Sequence, residues 1–395
     1  MPRGSARLER LAPKHWKGLD IPGGEPGPHR AVVRAGLTPP SVVKAAVAVQ
    51  RLHMTSTEDI AAVSGATGFI GSAVVRKLLG AGRKVRALIE PGVKLDNLEG
   101  LPSERLELVT VDICDRDGMH RALEGASAFY HLAAIYRIWM PDPAPLYRVN
   151  IEGTTTALLA AQAAGVRRIV YTSSIAAIGL HADGTPADES TPFNLWDIAN
   201  DYILSKYHAE RVALRMAEAG APIVIVSPAL PFGPGDIRPT PTGAMVLALL
   251  RGEVPGVGEG GFCAVDVDDV ADGHLAAEAR GRIGEKYILG NHNITFKAFC
   301  ELVCDVAGRK PPRLPLPSAL AQGVALGMEL WADHVSHERP NATYRSVRYL
   351  QRLAYFDGSK AQRELGVTVT PLRDSIEREI AYFELKGMVR PRGRA

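Results

Sequence analysis

The chain has 395 residues, of which 46% are hydrophobic and 23% charged, and its net charge is only +3. These values predict a soluble globular protein with one large domain or two, and they exclude a nucleic-acid-binding protein, since no basic stripe is interleaved with aromatic residues. The four cysteines are too few for a disulfide framework in a chain of this length, so we expect a reducing, cytoplasmic environment.

The first 57 residues are rich in Pro, Gly and Arg and lack the apolar stretch of a signal peptide. We expect residues 1–57 to be a disordered extension with one short helix at Ser41 to Leu52. Met54 stands just ahead of the first strand, and the alternative is that translation begins there.

A glycine-rich turn follows the first apolar run. The run Ile60 to Val63 is typical of a buried parallel strand, and apolar residues recur at helical spacing from Ile70 to Leu79. Between them, glycines stand three apart, at Gly65, Gly68 and Gly71. A strand, a glycine turn and a helix N-terminus together are typical of a site that binds the phosphates of a dinucleotide.

Strand and helix patterns then alternate, which predicts an α/β fold with a doubly wound parallel sheet of the Rossmann type. Helices are predicted at Tyr147 to Ala164 and Tyr202 to Glu218. The predicted strands are Lys84 to Ile89, Leu106 to Val111, Ser127 to Ala133, Arg168 to Ser173 and Pro222 to Ser227. We assign residues 58–228 to a dinucleotide-binding domain.

After Pro228 the pattern loosens, and we assign residues 229–388 to a smaller, mostly helical substrate-binding region, with a strand near 286–290 that returns to the sheet. Three helices are predicted there, near Phe296 to Gly308, Ser318 to His337 and Pro371 to Lys386. The apolar tract from Leu314 to Ala332 is interrupted by polar residues, so we expect a packed helix rather than membrane insertion.

Polar residues cluster where the chemistry of such a fold is expected, near the carboxyl ends of strands. Ser173 and Ser174 end the fifth predicted strand, and Asn150 lies within a predicted helix. Tyr202 and Lys206 are four residues apart and therefore share one helix face. No cysteine or histidine spacing typical of a metal site accompanies them, and we expect Cys300 and Cys304 to be packed thiols.

With these residues in place, the chain resembles the extended short-chain dehydrogenase/reductase family over nearly all of residues 58–385. Within that family it is most similar to the branch of hopanoid-associated sugar epimerases and dihydroflavonol 4-reductases. The matching residues are Gly65 to Gly71, Asp112 with Ile113, His131 to Ala134, Asn150, Ser174, Tyr202 with Lys206, and Val265 to His274.

The resemblance implies a hydride transfer between a nicotinamide and a ketone or secondary alcohol. Tyr202 would supply the proton, Lys206 would lower its pKa and hold the nicotinamide ribose, and Ser174 would bind the substrate oxygen. Asn150 would support a water linked to Lys206. The implied cofactor contacts are Gly65, Thr67, Gly68, Phe69, Ile70, Gly71, Glu90, Asp112, Ile113 and Ala133, together with Tyr202 and Lys206.

Glu90 favours NAD over NADP. It closes the second predicted strand, 25 residues after Gly65, where an acid can accept from the free ribose 2′-hydroxyl and repel a 2′-phosphate. NADP stays an alternative, because Arg86 and Lys94 are close in sequence.

Three functions stay open. A dihydroflavonol-4-reductase-like oxidoreductase is favoured, because Ile178 and Gly179 stand where nucleotide-sugar epimerases show a Tyr-Gly pair, and Ser227 where they show an Asn. The alternatives are a sugar epimerase that retains its NAD and a non-catalytic cofactor sensor. The substrate is expected to be a small molecule, and a homodimer is left open. The residues predicted to bind the substrate are Tyr136, Arg137, Trp139 and Arg238, with Asn194 and Trp196 also near the pocket.

Overall fold

The computed structural model describes residues 59–390. The predictions for residues 1–57, including the helix at Ser41 to Leu52, lie outside the described residues. Eleven strands are described: β1 (Ile60–Ser64), β2 (Lys84–Ile89), β3 (Leu106–Thr110), β4 (Ala126–His131), β5 (Arg168–Thr172), β6 (Ile223–Pro228), β7 (Leu230–Phe232), β8 (Gly261–Asp266), β9 (Lys286–Leu289), β10 (His292–Thr295) and β11 (Leu353–Ala354).

Seven of these strands form one parallel sheet in the order β3-β2-β1-β4-β5-β6-β9. The first six follow the strand order of a Rossmann fold, which reverses direction between β1 and β4. The predicted returning strand is β9, which pairs with β6. The doubly wound parallel sheet predicted from the sequence is therefore confirmed.

Within residues 59–390, twelve α-helices surround the strands: α1 (Phe69–Gly80), α2 (Arg116–Leu123), α3 (Ala144–Tyr147), α4 (Thr154–Ala163), α5 (Asp201–Glu218), α6 (Pro241–Arg251), α7 (Val267–Arg280), α8 (Phe296–Val306), α9 (Ser318–Trp331), α10 (Tyr344–Leu350), α11 (Ser359–Leu365) and α12 (Leu372–Leu385). The helix expected from Tyr147 to Ala164 is divided by a π-helical segment at Arg148–Gly153.

Both faces of the sheet are covered, which explains why its central strands read as unbroken apolar runs. On one face α1 and α7 bury residues such as Val74 and Leu78 against the sheet. On the other face α2, α4 and α5 bury residues such as Met119, Leu158 and Ala213.

A second, smaller sheet belongs to the C-terminal part of the chain. Here β8 pairs with β7, β10 and β11. Phe232, Phe262 and Phe299 pack together at its centre, and helices α6, α8 and α12 close over them. Cys300 and Cys304 are buried in this cluster as free thiols, as predicted.

The tract from Leu314 onward does form a helix, but it is not packed in the way that we expected. The large apolar side chains of α9 are exposed, and the only fully buried residue of that helix is Ala325. Within residues 59–390 no helix combines the length and apolar character needed to cross a bilayer. The same residues contain no cluster of His, Cys, Asp and Glu suited to a metal ion.

Candidate active site

A cleft of about 960 Å³ opens where β1, β4, β5 and β6 end. This is the edge at which open α/β sheets bind ligands, beside the point where the strand order reverses. It brings together most of the residues singled out from the sequence: Gly65, Thr67, Gly68, Phe69, Ile70, Gly71, Tyr136, Arg137, Trp139, Ser174, Tyr202, Lys206 and Arg238.

The glycine turn requires its glycines for steric reasons. Gly65 has φ +68°, and a Cβ there would lie 2.8 Å from the Ala133 nitrogen. A Cβ on Gly71 would lie 2.1 Å from the Gly65 carbonyl oxygen. Helix α1 begins after Gly68 with neither a side-chain cap nor an acid in its first turn, so its first N–H groups stay available to an anion. The turn therefore fits the pyrophosphate of a dinucleotide.

Two side chains hold this turn from outside. The Thr67 carbonyl oxygen accepts hydrogen bonds from Asn97 Nδ2 at 3.1 Å and from Arg238 Nη2 at 3.2 Å. Arg238, predicted to contact substrate, thus lies against the turn that would bind the pyrophosphate. The sequence contained no signal for Asn97, which lies in an irregular segment after β2.

Tyr202 lies in the first turn of α5, which begins after Asn200. The Asn200 side chain accepts from the Ile203 N–H at 2.9 Å and so caps the helix. Burial in the cleft raises the pKa of the Tyr202 phenol to about 12, and a hydrogen bond with Ser174 lowers it only in part. The lowering of this pKa by Lys206 stays a prediction, and burial is the largest influence on the phenol in the structure.

Lys206 is buried one turn after Tyr202 on the same face of α5. Its Nζ donates to the Thr172 carbonyl oxygen at 2.7 Å and lies over the ring of Tyr171. Burial lowers the pKa of this ammonium to about 8, and the nearby Glu210 carboxylate raises it in part. The ammonium is thus held at the end of β5.

Glu210 is a buried carboxylate that the sequence reasoning missed. It accepts from Ser173 Oγ at 2.6 Å and from Lys286 Nζ at 2.9 Å. The signal that could have found it is its spacing, because Tyr202, Lys206 and Glu210 recur at intervals of four along one helix face. Its partner Lys286 comes from β9, far along the chain.

Asn150 lies buried in the π-helical segment, where the extra residue per turn directs it toward the loop after β4. Its Oδ1 accepts from the Ile135 N–H at 2.7 Å, and its Nδ2 donates to the Ile135 carbonyl and to Ser205 Oγ. Both N–H donors are thereby used. Only the second lone pair of Oδ1 is left for the predicted water, so the clearest role of this side chain is to hold Ile135 at the cleft wall.

Several predicted residues do not line the cleft. Ile113 packs against Gly153, and the Ala133 N–H donates to Ser64 Oγ at 3.3 Å, beside Gly65. Glu90 is exposed just after β2. Asp112, also exposed, caps a turn by accepting from the Cys114 N–H at 2.8 Å.

Asn194 and Trp196 also lie away from the cleft lining. The Asn194 side chain hydrogen-bonds both backbone groups of Leu180 and so fixes a loop. Trp196 is exposed and packs on Phe193 and Tyr207. Neither was placed correctly from the sequence, because loop packing cannot be read from spacing.

The other wall of the cleft is aromatic and partly basic. The ring of Tyr136 lies 4.7 Å from that of Tyr202, centroid to centroid, and Trp139 Nε1 donates to Asp333 Oδ1 at 2.9 Å. Arg339 also lines this wall. Asp236, which the sequence reasoning did not select, is buried there, and desolvation raises the pKa of its carboxyl to about 6.

Comparison with known proteins decides the family. The model of the NAD dependent epimerase/dehydratase family matches residues 61–290, more than half of the chain. This protein belongs to that family. The match begins in β1 and ends after β9, so it covers the whole parallel sheet.

Two relatives extend the similarity to most of the chain. A Synechocystis protein provisionally named dihydroflavonol 4-reductase is 37% identical over 342 residues, which cover 86% of this chain and 98% of that protein. Sterol demethylase protein B of Methylococcus capsulatus is 34% identical over 328 residues, covering 83% and 99%.

Solved structures agree with this assignment. The crystal structure of gox2253 is 42% identical, with a TM-score of 0.75, and the match covers 84% of this chain and 100% of that one. A dTDP-glucose 4,6-dehydratase from Streptomyces venezuelae, solved with NAD bound, is 26% identical with a TM-score of 0.68, covering 84% and 99%. The protein is therefore an NAD(P)-dependent enzyme of the short-chain dehydrogenase/reductase type, with a nicotinamide cofactor.

Proposed function

We propose that the protein reduces a ketone to a secondary alcohol, with Tyr202 as the proton donor. The observation that carries this proposal is that Ser174, Tyr202 and the buried Lys206 line one cleft, with Lys206 one helical turn after Tyr202. Two hydroxyl groups on one side of a cleft can bind a carbonyl oxygen, and the raised pKa keeps the phenol protonated until it donates.

When bound, the nicotinamide supplies the hydride. The chain supplies the rest. Ser174 holds the substrate oxygen, Tyr202 Oη gives its proton to that oxygen, and the Lys206 ammonium stabilises the phenolate that is left. A proton from solvent then restores the phenol. The glycine turn and Arg238 would hold the pyrophosphate, and Asn150 would keep Ile135 in place beside the cleft.

We propose NAD as the cofactor. Glu90 is exposed at the end of β2, where a carboxylate would repel a 2′-phosphate. Arg86, the alternative partner for such a phosphate, is turned away: its Nε pairs with Glu107, and its Nη1 donates to the carbonyl oxygens of Ala122 and Glu124. We also propose that the Asp112 carboxylate and the Ile113 N–H contact the adenine of the cofactor.

The cleft wall indicates the class of substrate. Tyr136 and Trp139 come from the loop after β4, and Pro141 and Pro231 line the same space. We propose a flat, largely apolar ketone, a class that fits the dihydroflavonol and sterol names of the two relatives. Residues 58–228 would bind the cofactor and residues 229–388 would complete the substrate side. The free state of all four cysteines supports a cytoplasmic location.

A substrate screen tests the proposal. Purified protein is incubated with NADH and a panel of aromatic and polycyclic ketones, and the nicotinamide absorbance is followed. We expect net oxidation of NADH and no cofactor retained through purification, as checked by mass spectrometry. Retained NAD with no net absorbance change, together with isomerisation of a nucleotide sugar, would contradict a reductase and indicate an epimerase.

A further inference from the structure

In helix α9 the polar side chains, and not the large apolar ones, face the rest of the protein. Its polar residues point inward and bond to the body of the protein: Gln322 Nε2 donates to Gln351 Oε1 at 2.7 Å, and Glu329 Oε2 accepts from the Tyr344 N–H at 2.7 Å. Ser318 Oγ donates to Glu259 at 3.1 Å. The polar side chains of α9 therefore already have hydrogen-bond partners within the protein.

The outward face of the helix is apolar. Within α9 the large side chains of this face are between 39% and 61% exposed, and no charged residue lies among them. We refer to these side chains, together with Leu314 before the helix and Val335 after it, as the α9 surface: Leu314, Leu320, Val324, Leu326, Met328, Leu330, Trp331 and Val335. A row of large apolar side chains left exposed along one helix marks a contact with an apolar partner.

Basic residues stand at both ends of this surface. Arg309, Lys310 and Arg313 are exposed immediately before Leu314, and Arg339 is exposed beyond Val335. The exposed acids of the same stretch are Asp333, which accepts from Trp139, and Glu338. A protein face with apolar residues bounded by cations is suited to binding a lipid bilayer, because a bilayer presents acyl chains beneath anionic headgroups.

The α9 surface also adjoins the mouth of the cleft. Asp333, at the end of the helix, holds Trp139 of the cleft wall, and His337 and Arg339 of the next segment line the cleft. A molecule dissolved in a bilayer would therefore meet the cleft without crossing water.

We propose that the α9 surface docks on an anionic lipid bilayer and lies in its interface without spanning it. This goes beyond the proposed reduction and does not depend on it. A second copy of the chain is the other occupant to consider, but it would bring the same four cations and only two exposed acids, one of which already accepts from Trp139. An anionic bilayer matches both the apolar face and its basic ends.

Vesicle co-sedimentation at physiological salt tests the proposal with the full chain. The probes are phosphatidylcholine vesicles with and without phosphatidylglycerol. We expect pelleting with the anionic vesicles. The double variant Leu320→Gln, Trp331→Gln should lower the partition coefficient about tenfold, since two half-exposed apolar groups no longer enter the interface. Replacing Arg309, Lys310 and Arg313 by Gln should remove the preference for anionic lipid.

Ile283→Gln with Leu385→Gln is the matched control, because both residues are exposed apolar side chains away from α9. It should pellet like the unmodified protein, and thermal melting verifies that every variant is folded. The proposal is overturned if the unmodified protein stays in the supernatant with anionic vesicles. It is also overturned if the Leu320/Trp331 variant pellets as well as the unmodified protein. If the unmodified protein binds no vesicles but is a dimer in sedimentation velocity, and the Leu320/Trp331 variant is a monomer, the occupant is a second copy of the chain instead.

Discussion

Tyr202 lies where its single hydroxyl can serve both hydrogen bonding and proton transfer. Tyr202→Phe keeps the ring that packs against Tyr136 and removes only the hydroxyl. We expect kcat to fall by ~10²–10⁴, the usual contribution of a general acid, with NADH binding nearly unchanged. Tyr136→Phe removes a neighbouring hydroxyl from the same cleft and serves as the control, with an effect confined to KM. Comparable kcat losses in both variants would contradict the assignment.

Glu210 acts on the site through Lys206. Its carboxylate raises the pKa of the ammonium, so Glu210→Gln should lower that pKa below about 8. Because Lys206 is needed in its charged form and loses its proton as pH rises, the alkaline fall of kcat/KM should begin at a lower pH in the variant. A pH–rate profile measures this. Glu285→Gln, which removes the partner of Lys360, is the control and should leave the profile in place.

Glu90 is the proposed selector between the two nicotinamide cofactors. Glu90→Arg replaces a repelling carboxylate by a cation that can pair with a 2′-phosphate. We expect kcat/KM for NADPH relative to NADH to rise about tenfold or more. Glu99→Arg, a change at another exposed acid of the same region, should leave the ratio unaltered. A strong preference of the unmodified protein for NADPH would contradict the role of Glu90.

At the scale of elements, α1 depends on the glycines around its first turn. Gly71→Ala would force a Cβ to 2.1 Å from the Gly65 carbonyl oxygen, so we expect a loss of about 1–3 kcal/mol in stability and weaker NADH binding. Gly80→Ala, at the other end of the same helix, meets no atom within 4 Å and should stabilise by about 0.4–1 kcal/mol. Thermal melts and fluorescence titration with NADH compare the two, and equal effects would contradict the steric argument.

At the scale of the whole molecule, the two predicted regions share one sheet. Removing everything after residue 228 deletes β9, the partner of β6, and α7, which packs on α1. It also leaves Glu210 without Lys286. We therefore expect the truncated chain to lack the cooperative thermal transition of the full protein, as followed by circular dichroism. A sharp transition in the shorter chain would show that residues 58–228 fold alone.

The local features of this protein follow from short stretches of its sequence. Apolar runs four to six residues long, glycines three apart and a Tyr–Lys pair four apart specify strands, a turn and a helix face, because each depends on neighbours in the chain. Most of the cofactor turn and the Ser174–Tyr202–Lys206 group could therefore be predicted. The alternation of strands and helices along the chain was enough to predict the doubly wound sheet.

The contacts between segments that are distant in the chain depend on how the chain folds back on itself. Arg238 meets Thr67 and Lys286 meets Glu210 because the C-terminal part of the chain returns to the sheet. The pKa of Tyr202 rises since desolvation outweighs the interaction with Ser174, a balance that spacing cannot express. The orientation of α9 has the same origin: periodicity identifies an apolar face, but packing decides whether that face meets the core or the surroundings.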